Sequence, residues 1–292
     1  MFASRDPEHR TRTRIVAAPS GTTRRLVAVL TVGFLMLASG VAGAREAKTP
    51  EARQAGEAQA TTFDVIIADG EVYDGAGTGP VTTDLGVIGD RIAALGDLSK
   101  ARAALRLDAT GLAVVPGFID IHSHAVNRIK ETSGLFNHPE AENYLRQGVT
   151  TAIGGPDGRS WVPVSGLLKL VEETPIGINF GTFVGHNTVR ATAMGRADRA
   201  PTETELSTMV DLVDQAMRDG AYGLSGGLKY IPGAYAETSE VIALARAAGA
   251  HDGIYIVHLR DEGRGLLDSV RETIAIGEAA GLPVQVTHHK AM

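Results

Sequence analysis

The feature that most constrains the fold is an alternation of strand-like and helix-like segments that begins after Pro116. Short apolar runs are separated by longer segments whose apolar residues recur with helical spacing. One helical segment starts with a capping box formed by Thr202 and Glu205, and Gly220 ends it. The repetition predicts a parallel sheet or a β/α barrel. The predicted strands are Gly117–Ile121, Gly148–Ile153, Asn179–Val184, Ala221–Leu224, Ile254–Leu259 and Pro283–Thr287.

Residues 61–116 show a different pattern, with short β-type runs and no helical periodicity. Ala68-Asp69-Gly70 and Gly89-Asp90 separate such runs and are hairpin signals. This region is therefore expected to form a small β module. A closed β/α barrel takes about 250 residues, more than residues 117–292 provide, so we expect the barrel to be incomplete.

Residues 1–44 are typical of an export signal. Arg24 and Arg25 precede the uncharged stretch Leu26–Ala44, which ends in an A-x-A cleavage pattern. The paired arginines loosely resemble a twin-arginine signal. We therefore expect an exported protein, periplasmic or secreted. The alternative is an uncleaved membrane anchor, because the stretch is just long enough to cross a bilayer. Residues 45–60 lack large apolar side chains and are expected to be a flexible linker.

Composition excludes several classes of function. The net charge is −6, and the body of the chain is more acidic than this total because six arginines lie in residues 1–44. An acidic body argues against nucleic acid or an anionic membrane as partner. The chain has no cysteine, which excludes disulfides, thiolate metal sites and cysteine nucleophiles. Any bound metal must therefore have histidine and carboxylate ligands.

Two histidines end the first predicted barrel strand, in the segment Asp120–His124. Alternate side chains of an extended strand share a face, so Asp120, His122 and His124 are expected on one side. The carboxyl end of a strand lies at the functional rim of a β/α barrel, where two imidazoles can reach one cation. A pair of solvated histidines is the alternative. The buried strand Val114–Phe118 just before them favours a metal site.

The segment Pro116–His124, following a β module, resembles the opening of the amidohydrolase superfamily, and Gly148–Thr151 fits its second barrel strand. The resemblance covers Phe63 to the C-terminus. It implies an α/β fold: a small β-sandwich module at residues 61–116, then an incomplete TIM-like (β/α) barrel of the metal-dependent hydrolase type at 117–292. Further stretches are similar to the D-aminoacylase branch, the N-acyl-D-amino-acid deacylases: Val184–Arg190, Gly223–Gly233, His258–Glu262 and Thr287–Lys290.

The resemblance implies that His122 and His124 are paired metal ligands and that His288 is a ligand from a later strand. His289 is the alternative to His288, because a slip of one residue exchanges their faces. D-aminoacylases have a metal-binding cysteine where this chain has Asp157. A carboxylate can also bind Zn²⁺, although Pro-Asp-Gly is an ordinary turn sequence as well. Lys229 is a weaker candidate for a carboxylated bridging ligand.

Three residues at predicted rim positions are candidates for substrate binding, namely Tyr230, His258 and Arg260. The guanidinium of Arg260 could hold a substrate carboxylate through two donors. A salt bridge to Asp261 or Glu262 is the alternative for this residue, and each of the three could instead be structural.

The resemblance implies hydrolysis of a linear amide, N-acyl-D-amino acid to D-amino acid and carboxylate, by water activated on one or two divalent ions. Zn²⁺ is expected, with Mn²⁺ or Fe²⁺ as alternatives because oxygen replaces sulfur in the ligand set. The general-base aspartate is expected beyond residue 292, so this fragment alone is expected to be inactive and to need a missing C-terminal half. Two alternatives stay open: a cyclic amidase of the dihydroorotase or hydantoinase type, and an inactive truncated half-barrel that binds a metal or a partner.

Overall fold

The structure, a computed structural model, describes residues 25–28, 62–126 and 134–292, the first of these ranges by its backbone alone. Apart from residues 25–28, the predicted signal peptide and linker lie outside this description. The chain divides into two compact units, Met1–Gly117 and Phe118–Met292. Within the described ranges, no helix combines the length and the apolar character that crossing a bilayer requires.

The first unit contains one six-stranded sheet. Strand β2 is central: it pairs antiparallel with β3 and parallel with β5 and β6. The neighbouring residues Ile66 and Ile67 of β2 enter different apolar clusters. The strands are β1 (Arg25–Ala28), β2 (Thr62–Val72), β3 (Val81–Ile88), β4 (Arg91–Gly96), β5 (Arg102–Asp108) and β6 (Leu112–Val115).

The two predicted hairpin turns of this unit have different outcomes. Gly89 and Asp90 do form the tight turn between β3 and β4. The prediction for Asp69-Gly70 was wrong, because β2 continues through both residues as a single strand. The β2–β3 register shifts between Ile67 and Gly70, and Asp69 has a φ of 57°. These residues therefore form an irregularity within a strand, which uses the same permissive residues as a turn.

The second unit alternates parallel strands with helices, as the sequence predicted. Its strands are β7 (Phe118–Asp120), β8 (Val149–Gly154), β9 (Asn179–Thr182), β10 (Val184–Gly185), β11 (Gly223–Gly227), β12 (Ile254–His258) and β13 (Val284–Val286). Its helices are α1 (Gly134–Asn137), α2 (Glu142–Leu145), α3 (Val164–Glu173), α4 (His186–Met194), α5 (Glu203–Arg218), α6 (Thr238–Gly249) and α7 (Leu266–Ala280), with a 3₁₀ turn at Gly233–Tyr235.

These strands form an open parallel arc in sequence order. Hydrogen bonds join β7, β8 and β9 in one sheet and β10 to β13 in another. Only Phe183 separates β9 from β10, so one continuous stretch of chain links the two sheets. Among the described residues, β7 and β13 have no bond to each other. The fold is thus the partial TIM-like barrel that the sequence predicted.

The helices bury apolar faces against the strands and so fix where the strand ends lie. Helix α5 begins with the predicted capping box, in which Thr202 Oγ accepts a bond from Glu205 N. Met209 and Val213 on its inner face are fully buried. They join the largest apolar cluster with Leu244 of α6 and Val257 of β12. Packing of this kind holds the strand ends, which carry the polar residues described next.

Candidate metal centre

The first part of the site follows β7, where His122 and His124 leave the strand end. The strand stops at Asp120, earlier than predicted, and Asp120 Oδ1 accepts a hydrogen bond from His122 N at 3.0 Å. The two imidazole rings lie 5.2 Å apart between centroids and meet edge to face. The histidines therefore converge through a turn that the Asp120 carboxylate stabilises.

Asp157 brings a carboxylate to these histidines from the loop after β8. Its Oδ2 lies 3.6 Å from His122 Nε2 and 3.2 Å from His124 Nε2. The residue has a φ of 55°, a left-handed conformation that Asp tolerates better than most residues. His122, His124 and Asp157 form a group whose ligand atoms all lie within 4.8 Å of one another, a spacing that could hold a metal ion.

A second group of the same kind combines His258, Glu262 and His288. His258 ends β12, and its Nε2 lies 3.0 Å from Glu262 Oε2. His288 follows β13, and its Nδ1 lies 2.6 Å from Glu262 Oε1. The Glu262 side chain is only 1% exposed, so its carboxylate lies between two imidazoles away from solvent.

The two groups meet in one cluster. His258 Nδ1 lies 3.7 Å from Asp157 Oδ1 and 3.0 Å from His288 Nε2. The rings of His122 and His288 are 6.4 Å apart between centroids. Side chains that follow β7, β8, β12 and β13 thus converge at the carboxyl ends of parallel strands, where β/α barrels carry their functional residues.

The cluster fits a divalent cation. Five of its buried nitrogen and oxygen atoms form no hydrogen bond of normal geometry, although Glu262 Oε1 lies 2.6 Å from His288 Nδ1 and 3.3 Å from Lys290 Nζ. Burying such atoms unpaired costs free energy, whereas a cation would use their lone pairs. The unpaired atoms are His122 Nδ1, Asp157 Oδ1, His258 Nε2, Glu262 Oε1 and His288 Nδ1.

Burial and neighbouring charges favour the protonation states in which the central residues can bind a metal. Burial alone would raise the pKa of Asp157, but contact with His122 and the charges of His258 and His124 outweigh it, so the pKa lies below its ordinary value. Asp157 is therefore ionised at neutral pH. Burial lowers the pKa of His258 despite the opposing charge of Glu262, which favours the neutral imidazole that binds metals.

The predicted ligands His122, His124, Asp157 and His288 all lie in this cluster, and two further members were not predicted as ligands. His258, predicted as a substrate-binding residue, lies among the candidate metal ligands. Glu262 was considered only as a salt-bridge partner of Arg260. His289, the alternative to His288, is exposed and belongs to neither group of candidate ligands.

Tyr230 lies beside the cluster, as its predicted rim position required. Its hydroxyl is 3.3 Å from His258 Nδ1, and its ring stacks at a tilt 4.6 Å from that imidazole. Burial, with the nearby charges of Asp157 and Glu262, raises the pKa of Tyr230. The phenol therefore stays protonated at neutral pH and can donate a hydrogen bond.

Arg260 has a different role from the one predicted. Its Nε and Nη2 lie 2.9 and 2.8 Å from the Glu272 carboxylate of α7. Its Nη1 and Nη2 also donate to the carbonyls of Ala234 and Ala236, respectively. The guanidinium is already paired, so we no longer expect it to hold a substrate carboxylate. Its partner is also neither Asp261 nor Glu262.

A cavity of about 780 Å³ opens beside the cluster, and His124 lies in its wall. Polar and apolar side chains share the rest of the lining, among them Leu135, His138, Glu142 and Tyr144. The volume is within the range of small-molecule sites.

Comparison with known proteins identifies the family to which this arrangement belongs. A sequence profile of the amidohydrolase family matches residues 107–292. The chain belongs to the amidohydrolase family. Among its relatives is the D-aminoacylase of Alcaligenes xylosoxydans xylosoxydans, 40% identical over 253 residues that cover 79% of this chain and 51% of that protein.

Two solved structures share the fold of this chain. One is a D-aminoacylase with a binuclear metal centre, with a TM-score of 0.72 at 36% identity over 79% of this chain and 52% of the other. The other is the N-acyl-D-glutamate deacylase of Bordetella bronchiseptica with zinc and a phosphonate inhibitor, with a TM-score of 0.74 at 33% identity over 80% and 52%. The chain spans about half the length of the relatives it matches.

Proposed function

We propose that the protein to which this chain belongs is an N-acyl-D-amino-acid deacylase that depends on a divalent metal. The convergence of four histidines and two carboxylates from separate strand ends carries the proposal, because these residues surround unpaired ligand atoms. Three relatives that are 35 to 40% identical over about 250 residues support the substrate class, since they are a D-aminoacylase, an N-acyl-D-aspartate deacylase and an N-acyl-D-glutamate deacylase.

The ligand assignment follows from the contacts. His122, His124 and Asp157 would hold one ion, and His258, Glu262 and His288 lie where a second would bind. Asp157 lies between the groups, because its two oxygens face His124 and His258 respectively. We propose zinc as the metal, as found in the glutamate deacylase complex, with manganese or iron as alternatives that oxygen ligands accept.

The chemistry needs both the metal and the side chains around it. A divalent ion held by these residues would supply a Lewis acid for the amide carbonyl and would lower the pKa of water to about 7. The protonated Tyr230 phenol can donate to the substrate oxygen. Lys290 Nζ, 3.3 Å from Glu262 Oε1, adds positive charge at the same edge and would attract the carboxylate of an acylated amino acid.

Removing the paired histidines tests the metal assignment. We expect His122→Ala combined with His124→Ala, in the full-length gene product, to abolish deacylation of N-acetyl-D-amino acids and to lower bound zinc together. Zinc content is measured by mass spectrometry of the purified protein. A double variant that keeps stoichiometric zinc would contradict the assignment.

A second pair of variants separates neighbouring histidines. His288→Ala should reduce zinc content and activity, whereas His289→Ala should leave both unchanged, because only His288 contacts Glu262 and His258.

The substrate class is tested with the full-length gene product by comparing turnover of N-acetyl-D-amino acids with turnover of a cyclic amide such as dihydroorotate. Faster turnover of the cyclic amide would contradict the deacylase proposal and favour a cyclic amidase.

We further propose that residues 1–44 direct export. Support for this comes from the paired arginines, the apolar stretch and the A-x-A ending described above. Fractionation of cells that express the tagged protein tests it, with a mature N-terminus near Arg45 as the expected result. An intact leader in the membrane fraction would favour the anchor.

A further inference from the structure

Ser225 is a buried hydroxyl that the metal chemistry does not use. It lies in β11 and is fully buried. Its Oγ donates to the Gly155 carbonyl at 2.6 Å and accepts from the Gly158 amide at 3.2 Å. These two bonds reach the backbone on either side of Asp157, so one side chain contacts both ends of the turn that carries the central carboxylate.

That turn is held in a conformation that needs external support. Gly155, Asp157 and Gly158 have φ values of 72°, 55° and 73°. For Asp157 this left-handed region is unfavourable without tertiary contacts. The Gly158 carbonyl accepts from Thr188 N at 3.1 Å, which fixes the end of the turn a second time. Ser225 provides the side-chain contacts that span it.

The turn also has little space in which to move. A side chain at Gly158 would collide with the Asn187 amide, and one at Gly227 would collide with the Asp157 carbonyl. Asn187 is itself fixed, because its Nδ2 donates to the carbonyls of Gly227 and Tyr230 at 3.0 and 2.9 Å. The backbone under Asp157 is therefore packed directly against the end of β11.

We propose that Ser225 is a positioning residue of the metal centre: its hydroxyl fixes the Gly155–Gly158 turn so that the Asp157 carboxylate reaches His122, His124 and His258. The inference rests on the proposed function only in that the cluster binds a cation. Metal–oxygen distances tolerate little error, so a turn that relaxes moves the carboxylate out of range.

The test compares zinc affinity in Ser225→Ala with that in the unchanged protein. Competition against a chromophoric chelator gives Kd for Zn²⁺. We expect Kd to rise about 10- to 100-fold, the usual effect of losing an outer hydrogen bond of a metal site. Ser225→Thr keeps the hydroxyl and should restore most of the affinity.

Thr273→Val is the matched control. Thr273 is 1% exposed, and its hydroxyl donates to the Ser269 carbonyl within α7 at 3.0 Å. This variant loses a buried hydroxyl that has no contact with the turn, so its Kd should equal that of the unchanged protein. Equal Kd values for Ser225→Ala and the unchanged protein would overturn the inference and leave the metal centre standing. Failure of the unchanged protein to bind zinc would overturn the proposed function and this inference with it.

Hydrogen exchange in the unchanged protein tests the inference even if Ser225→Ala does not fold. If the metal and Ser225 fix the same turn, zinc must slow exchange of the Gly158 amide, because binding and local ordering are linked. The peptide that contains Gly155–Gly158 is followed by mass spectrometry with and without zinc. Equal exchange in both states would overturn the inference.

Discussion

Asp157 combines an unusual backbone conformation with a central place among the candidate ligands. It adopts a left-handed backbone conformation, and it brings an ionised oxygen between imidazoles from two strand ends. Asp tolerates that conformation, and its carboxylate is a hard ligand. A carboxylate rather than a thiolate at this position predicts a metal site that accepts harder ions.

We expect Asp157→Cys to raise the preference for Zn²⁺ over Mn²⁺ by at least about tenfold, because thiolate favours the softer ion. The measurement is the ratio of the two dissociation constants. Asp157→Asn keeps an oxygen and removes the charge, so it should weaken both ions and leave the ratio nearly unchanged. An unaltered ratio in Asp157→Cys would show that residue 157 is not a ligand.

Glu205 gives a pH-dependent prediction at the start of α5. The hydrogen bond from Arg199, together with those from Thr202, holds the pKa of Glu205 at about 2, below the value of about 4.3 expected in an unfolded chain. Its contribution to stability is present above the unfolded pKa and is lost as the pH falls through the folded one. Glu205→Gln should therefore be less stable than the unchanged protein at pH 7, with a difference that shrinks between about pH 4.5 and 2.

Urea unfolding at several pH values measures this difference. Glu203→Gln is the control, because it removes the same charge from the same first turn and leaves the capping box intact. A difference for Glu205→Gln that stays constant down to pH 2 would contradict the assigned cause.

Metal ligands that belong to a local sequence pattern could be predicted from the sequence. Ligands whose position depends on tertiary packing could not. His122 and His124 lie at alternate positions after an apolar strand, which is visible in the sequence. The partners of His258 and Arg260 depend on which side of the loop after β12 faces the cluster. Glu272, which pairs with Arg260, lies in a helix that sequence analysis could place but not orient.

At the scale of elements, α4 is joined to α6 by a buried ionic network. Glu240 of α6 accepts from His186 Nε2 at 2.8 Å and contacts the Arg190 guanidinium. All three side chains are at most 2% exposed. Nη2 of Arg190 also donates to the Arg199 carbonyl at 2.7 Å. A buried pair of this kind is costly to break from one side.

We expect Glu240→Gln to destabilise the protein by about 2–4 kcal/mol, because the Arg190 charge then stays buried without a counter-ion. The shift of the urea midpoint measures the loss. Glu237→Gln, at the exposed N-cap of the same helix, should change stability by less than about 0.5 kcal/mol. Equal effects of the two variants would show that the network contributes nothing specific.

Helix α4 also shows why some helices cannot be predicted from the sequence. It contains Thr and Asn residues of low helix propensity, and five of its residues are buried from His186 to Arg190. A helix covered on most sides has no clear polar face to detect. Helix α5 was predicted because it combines a capping box with a single apolar face.

At the scale of the whole molecule, the parallel arc has an edge at β7. This strand pairs with β8 on one side, and the described residues provide no strand for its other side. Ile119 and Phe118 are 63% and 43% exposed there, and Ile121, just after it, is 40% exposed. An apolar strand edge of this kind promotes association. The incomplete barrel could be predicted from the sequence, because the prediction used only the number of residues and of strands and no side-chain contact.

We expect a polypeptide of these residues to self-associate and Ile119→Lys to weaken association at least about tenfold, from the loss of one buried isoleucine. Sedimentation velocity over a concentration series gives the dissociation constant. Leu267→Lys alters a side chain that is 66% exposed on helix α7 and should leave association unchanged. A monomeric unchanged polypeptide at 100 µM, taken as roughly the upper end of the micromolar range in which exposed edges associate, would contradict the prediction.

The ligands described above come from the first two and the last two strands of the arc. Ions held in the two groups, with Asp157 between them, would crosslink stretches of chain that are far apart in sequence. Such a crosslink forms only after the intervening strands and helices have assembled, so loading belongs to the last stage of folding. Chelation would then loosen β7 and β13 before the helical layer between them.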